Sequence, residues 1–115
     1  MESILTSIKE LLGITEEQTE FDSHIIIHIN SVFMILTQLG VGPSKGFAIE
    51  NDSACWDEFL DDPVELQAVK SYMFLRVKLL FDSHSLPSAV IESMNRQISE
   101  FEWRLNVASE STQAT

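Results

Sequence analysis

The sequence predicts an all-α protein: a small bundle of about four helices, with a long loop between the second and third and a C-terminal helical hairpin that ends in a mobile tail. Three observations predict it. Several stretches place apolar residues at helical spacing. The segment from Val64 to Asp82 is too apolar all round to keep one face wet, so it must be covered on several sides. Ile91, Met94, Ile98, Phe101, Leu105 and Ala108 step by three and four residues along a narrow seam, and such a seam requires a partner helix.

The first element runs from Ser3 to Leu12, where Ile4, Leu5, Ile8, Leu11 and Leu12 lie at helical spacing and Gly13 terminates the run. A polar, acidic linker from Thr15 to Glu20 follows. Asp22 or Ser23 is placed to cap a second helix that reaches about Leu39, before Gly40 and Gly42-Pro43. Ile25, Ile29, Val32, Leu36 and Leu39 share one face, and Ile26, Ile27 and Phe33 widen it into a packing element with little wet surface. From Gly40 to Ala54 the periodicity disappears and Gly, Pro, Ser, Asn and Asp accumulate, which predicts a loop with Phe47 and Ile49 in a brief extended piece. Loops of this length often carry function.

Cys55 to Leu60 predicts one helical turn whose Trp56 and Phe59 plug an edge of the core as satellite packing; the alternative is that they clamp the loop to the body. Asp62-Pro63 opens the third long helix, with proline at its first position, and this helix runs to Phe81. A turn over Asp82 to Leu86 leads to Pro87 and a fourth helix antiparallel to the third. The final stretch, Ser109 to Thr115, has no apolar residue larger than alanine. It is expected to be mobile alone and able to order on a partner, which divides the chain into one helical domain, 1–108, and a tail, 109–115.

The net charge of -11 is unevenly placed. Residues 1–65 hold 13 acidic side chains against Lys9 and Lys45, whereas residues 66–115 hold five acids and five bases. An acidic half offers no attraction to phosphate, which excludes tight nucleic-acid binding through that surface while leaving it suited to line a path that DNA slides along. The same acidity is equally explained as a solvated face that aids solubility. One cysteine, Cys55, allows no intrachain disulfide and no cysteine-rich metal cage. Neither a secretory leader nor a membrane span is expected, and a soluble protein follows.

Candidate chemistry is sparse. His24 and His28 stand four apart on the second helix, a metal-compatible spacing, but no glutamate follows His24 as in a zinc-protease helix and no third ligand is evident beyond His84 or a scattered carboxylate. Cys55 near Asp57 lacks a base with an orienting partner. Asp61-Asp62 is explained by helix capping, and Gly40-Val41-Gly42-Pro43 leads into more loop instead of a phosphate-binding helix start. Glu92 with Arg96 and Glu100 with Arg104 fit intrahelical ion pairs; alternatively, this neutral half meets the acidic half of a neighbouring copy head to tail. No enzyme, cofactor or metal is expected.

The ordered set Ile8-Lys9-Glu10-Leu11-Leu12-Gly13-Ile14, Phe21-Asp22, His28-Ile29-Asn30-Ser31-Val32 and Leu39-Gly40-Val41-Gly42 continues with Trp56 to Leu60 and Ala68-Val69-Lys70-Ser71-Tyr72. It ends with Leu79-Leu80-Phe81-Asp82 and Glu102-Trp103-Arg104-Leu105-Asn106. Over most of its length the chain thereby resembles the small head-tail connector, or adaptor, proteins of tailed bacteriophages, in particular those of phages and prophages of Gram-positive bacteria. It departs from them in having Ser83-His84-Ser85-Leu86 before Pro87, where relatives often place prolines directly after the phenylalanine-aspartate pair.

The resemblance implies a virion neck protein, assembled in the host cytoplasm as a homo-oligomeric ring, typically of twelve copies, beneath the portal. Such a ring extends the DNA channel, helps retain packaged DNA and offers a platform for a further neck, head-completion or tail protein. DNA is then a partner only in transit, and no membrane is involved. The resemblance also implies that Phe101, Arg104, Leu105, Asn106, Val107 and Thr115 dock on the portal. The loop residues Lys45, Phe47, Ile49, Glu50, Asp52 and Trp56 would face a neighbouring copy, the channel or the next neck protein. The competing reading is a small acidic inhibitor that mimics DNA in the basic cleft of a nucleic-acid enzyme. It is disfavoured because Glu16, Glu17, Glu20 and Asp52 fall in apparent linkers instead of on a fixed carboxylate array.

Overall fold

The structure is a computed structural model that describes residues 2–113, with side chains described as far as Glu110. It is all-α: α1 (Ile4–Leu11), α2 (Asp22–Gln38), the single turn α3 (Trp56–Phe59), α4 (Pro63–Asp82) and α5 (Ser88–Gln113), with a 3-10 turn at Ser83–Ser85. The element α4 packs against both α2 and α5, and α1 packs on α2. The result is a slab of 44 × 35 × 20 Å.

Local chemistry accounts for the helix ends. Ser3 caps α1 by accepting from the Thr6 N–H at 3.2 Å, and Asp62 caps α4 by accepting from the Val64 and Glu65 N–H groups, with Pro63 at the first position. The α2 C-terminus closes with two bonds, Val41 N–H to Leu36 O at 2.9 Å and Gly40 N–H to Thr37 O at 3.0 Å. That closure places Gly40 at φ +84, a conformation costly for any residue with a Cβ.

The start of α2 differs from expectation. Asp22 is its first residue, and no side chain caps the helix. Its carboxylate lies 2.8 Å from Lys9 Nζ, and Lys9 is almost wholly buried. A buried ammonium without a counter-charge costs far more than a missing cap, so the carboxylate is committed to the lysine. Lys9 also donates to Glu16 O at 3.3 Å, which holds the acidic linker against α1.

The core is continuous from α1 through α2 and α4 to α5, with Ile8, Ile29, Phe33, Tyr72, Met73, Ile98 and Leu105 among its members. The predicted seam on α5 packs inside the chain over most of its length: Met94, Ile98 and Leu105 are buried, Ile91 and Phe101 half-buried, Ala108 exposed, and α4 is the partner helix. At α2 the expectation of little wet surface fails at Ile27, which is 62% exposed, and at Met34, 65% exposed.

The long connection between α2 and α3 is stapled down along its length. Asn30 clasps Ile49 in both directions, donating from Nδ2 to Ile49 O at 3.0 Å and accepting from the Ile49 N–H at 2.8 Å. Phe47 and Phe59 stack edgewise or tilted on Phe33, with centroids 5.0 and 4.7 Å away. The chain passes so close to Phe59 at Gly42 that any Cβ there would collide with the ring, which requires glycine. Trp56 donates from Nε1 to Ser7 Oγ at 2.8 Å, and a bridge between Ser3 and Cys55 ties the end of the loop to α1. Trp56 and Phe59 thus join the main core, and of the two readings it is the clamp on the loop that the contacts with Phe33 and Phe47 display.

Helix α5 continues past Ala108, where sequence periodicity ends, to Gln113. The buried Ser109 hydroxyl donates to Gly40 O at 2.7 Å and Asn106 Nδ2 to Leu39 O at 3.3 Å, so polar bonds to the end of α2 carry the helix beyond its apolar seam. Of the expected tail, residues 114 and 115 lie outside the described residues.

Candidate functional site

The reactive candidates are dispersed. His24 is exposed and His28 half-buried on α2, and partial burial, followed by the neighbouring His24, lowers the pKa of His28. Cys55 is half-buried, and its N–H donates to Glu58 Oε2 at 2.6 Å, which caps α3. Asp62 serves as the α4 cap. Among the described residues no group of three His, Cys, Asp or Glu side chains is placed to hold a metal ion, and no helix is long and apolar enough to cross a membrane.

The strongest polar constellation joins the two helices of the C-terminal hairpin. Glu102 Oε2 on α5 accepts from Tyr72 OH at 2.6 Å and from Arg76 Nη2 at 2.6 Å on α4, while Arg76 Nε donates to Tyr72 OH at 3.0 Å. Partial desolvation raises the Glu102 pKa, but the hydrogen bonds from Tyr72 and Arg76 and the guanidinium charge outweigh it, and the net pKa is lowered from 4.5. Burial, followed by the bond to Glu102, pushes the Tyr72 phenol well above its ordinary value.

A carboxylate with a depressed folded pKa contributes stability that is present above the unfolded value and lost as pH falls through the folded one. Glu102→Gln is therefore expected to flatten the loss of stability below pH 4.5. At neutral pH it should cost about 1 kcal/mol, since the cluster is partly solvated. Denaturant melts of both proteins from pH 7 to pH 3 check this, and an unchanged acid limb would sink the assignment.

The residues implicated in portal docking separate into two groups. Leu105 is a core residue, Phe101 packs half-buried against the core, and Asn106 donates to Leu39 O. Arg104 is exposed and paired with Glu100 on its own helix, Val107 is exposed, and Thr115 lies outside the described residues. The loop residues divide likewise. Ile49 and Trp56 are buried in the core and Phe47 is half-buried, while Lys45, Glu50 and Asp52 are exposed. The sequence places these residues in order but does not show which way each faces once the loop is stapled down.

Helical spacing also underrated the exposed apolar side chains. Trp103, 67% exposed, falls outside the α5 seam, and Ile27 and Met34 project from α2 on the side turned away from the core. For Trp103 the signal was available, because it lies off the three-four rhythm of Ile98, Phe101 and Leu105. The expected Glu100 and Arg104 pair is present, whereas Arg96 makes no ion pair among the described residues.

Large apolar side chains stand exposed on four of the helices, Leu11 on α1, Ile27 and Met34 on α2, Val64 and Leu80 on α4 and Trp103 on α5, and no metal or catalytic cluster accompanies them among the described residues. The family follows from the chain itself. A family model described as phage connector protein matches residues 4–112, from the first residue of α1 almost to the end of α5, and the chain belongs to that family. It is a structural component of the phage connector and a constituent of the virion, in a family that is structural and not enzymatic. Comparison with curated proteins and with solved structures finds no match.

Proposed function

We propose that copies of this chain assemble into a ring beneath the phage portal, extend the DNA channel, help retain the packaged genome and link the head to the next neck or tail protein. The observation that carries this reading is the family match, which spans the whole helical domain. Charge placement supports it: an acidic first half turned to the channel repels phosphate and lets DNA pass. In this reading portal docking belongs to the exposed Arg104 and Val107 of α5 together with the residues after Glu110, and the subunits number twelve as is typical of the resemblance. Assembly takes place in the host cytoplasm.

The test is the mass of the full chain by light scattering after size exclusion, alone and mixed with portal-bearing heads. A multi-copy complex on the portal is expected. A monomer that ignores the portal and co-elutes with a basic nuclease overturns the reading in favour of a DNA mimic. Deleting residues 111–115, which spares the Ser109 bond to Gly40, is expected to leave the melting temperature unchanged and to lower retention on the heads. Full retention removes the docking role of the terminus.

A further inference from the structure

We infer that neighbouring copies of this chain meet through two different faces, the Trp103 face of α5 on one copy seated on the Ile27–Ser31–Met34 face of α2 on the next; this rests on the ring reading above. The α2 face has the shape of a socket. Ile27 and Met34 stand two turns apart and 62% and 65% exposed, with the small Ser31 one turn from Ile27 between them. The Ser31 hydroxyl donates to Ile27 O at 2.9 Å, so it is already satisfied within its own helix and presents no unmet donor to an incoming ring. Trp103 is the most exposed aromatic side chain, at 67%, and as a single bulky knob over a small residue it makes the contact by which helices interlock.

Charge sets the direction. Arg96 lies two turns before Trp103 on the same stripe of α5, about 10 Å along the axis, and has no ion-pair partner among the described residues. With the two helices parallel and Trp103 over Ser31, Arg96 falls opposite the exposed His24 in the first turn of α2, four residues from the exposed Glu20. Antiparallel packing would place it beside the uncharged Gln38. The two faces lie on helices that pack on α4 and not substantially on each other. A contact between unlike faces leaves one of each unused on every dimer, and that is the condition for growth into a closed ring.

The experiment uses full-length Trp103→Ala, which lacks the knob, and Met34→Glu, which spoils the socket. Both positions are exposed, so unchanged helix content and melting temperature serve as the folding control. On portal-bearing heads each variant alone is expected to bind its neighbours at least about tenfold more weakly than the wild type, the usual size of a tryptophan anchor effect. An equimolar mixture is expected to yield discrete dimers and nothing larger, because the intact socket of one accepts the intact knob of the other and neither can extend. Arg96→Glu should weaken assembly about twofold to fivefold, and adding Glu20→Arg should restore it. Wild-type numbers of either variant on the heads, or a mixture without dimers, overturns these faces. A wild type retained as a single copy per head instead overturns the ring reading itself.

Discussion

Phe33→Ala is expected to destabilise the domain by about 3–5 kcal/mol, the range for truncating a buried aromatic ring. Phe33 is fully buried, and its ring meets Phe47 at 5.0 Å, Phe59 at 4.7 Å and Trp56 at 6.3 Å between centroids. It therefore joins α2 to the loop and to α3, and the cavity left by alanine cannot close without moving all three. In a chain of 115 residues the melting temperature should fall by about 10–25 °C. A second signature separates this from generic loss of packing. With Phe47 unseated, the loop should open locally, and trypsin should cut after the exposed Lys45 faster than global unfolding allows. A loss below about 1 kcal/mol would show that the ring cluster does not organise the fold.

Leu105→Asp carries an effect at least as large. Leu105 is buried on the face of α5 that meets α4, so the change removes a leucine from the core and puts a carboxylate in its place. Truncation alone costs about 2–5 kcal/mol, and the uncompensated charge adds to it. Against a usual total of about 5–15 kcal/mol, this removes a large share of the stability, and the melting temperature should fall steeply. Leu105→Met, which conserves volume, should cost less than about 1.5 kcal/mol. Val107→Asp, two positions on at an exposed site, should leave the fold intact. Circular dichroism melts of the three variants decide the matter. A folded Leu105→Asp that fails only in assembly would mean that the seam serves a neighbour instead of α4.

The helices were legible because their signals are local. Ser3, Asp62-Pro63, Gly13 and Gly40 mark ends through hydrogen bonds made within a few residues, and the α5 rhythm of Met94, Ile98 and Leu105 reports one buried stripe. Asp22 misled because its partner, Lys9, is brought to it by the packing of α1 on α2, a contact between elements that no local cap signal encodes. The extent of α5 was missed for a similar reason: its last turns are held by bonds to Leu39 and Gly40, more than sixty residues away.

The candidate surfaces show the same division. Composition alone set the acidic first half and the neutral second half, and motif order alone pointed to the phage connector family that the family match establishes. By itself, then, the sequence determined an all-α chain, its helix punctuation, its charge asymmetry and its family. Only the tertiary structure decided that Ile49, Trp56 and Leu105 are inside while Ile27, Met34 and Trp103 are outside. Helical period records which residues share a face, but a helix as apolar as α2 offers more than one face to the core. Which face is covered depends on where α1, α4 and the stapled loop come to rest.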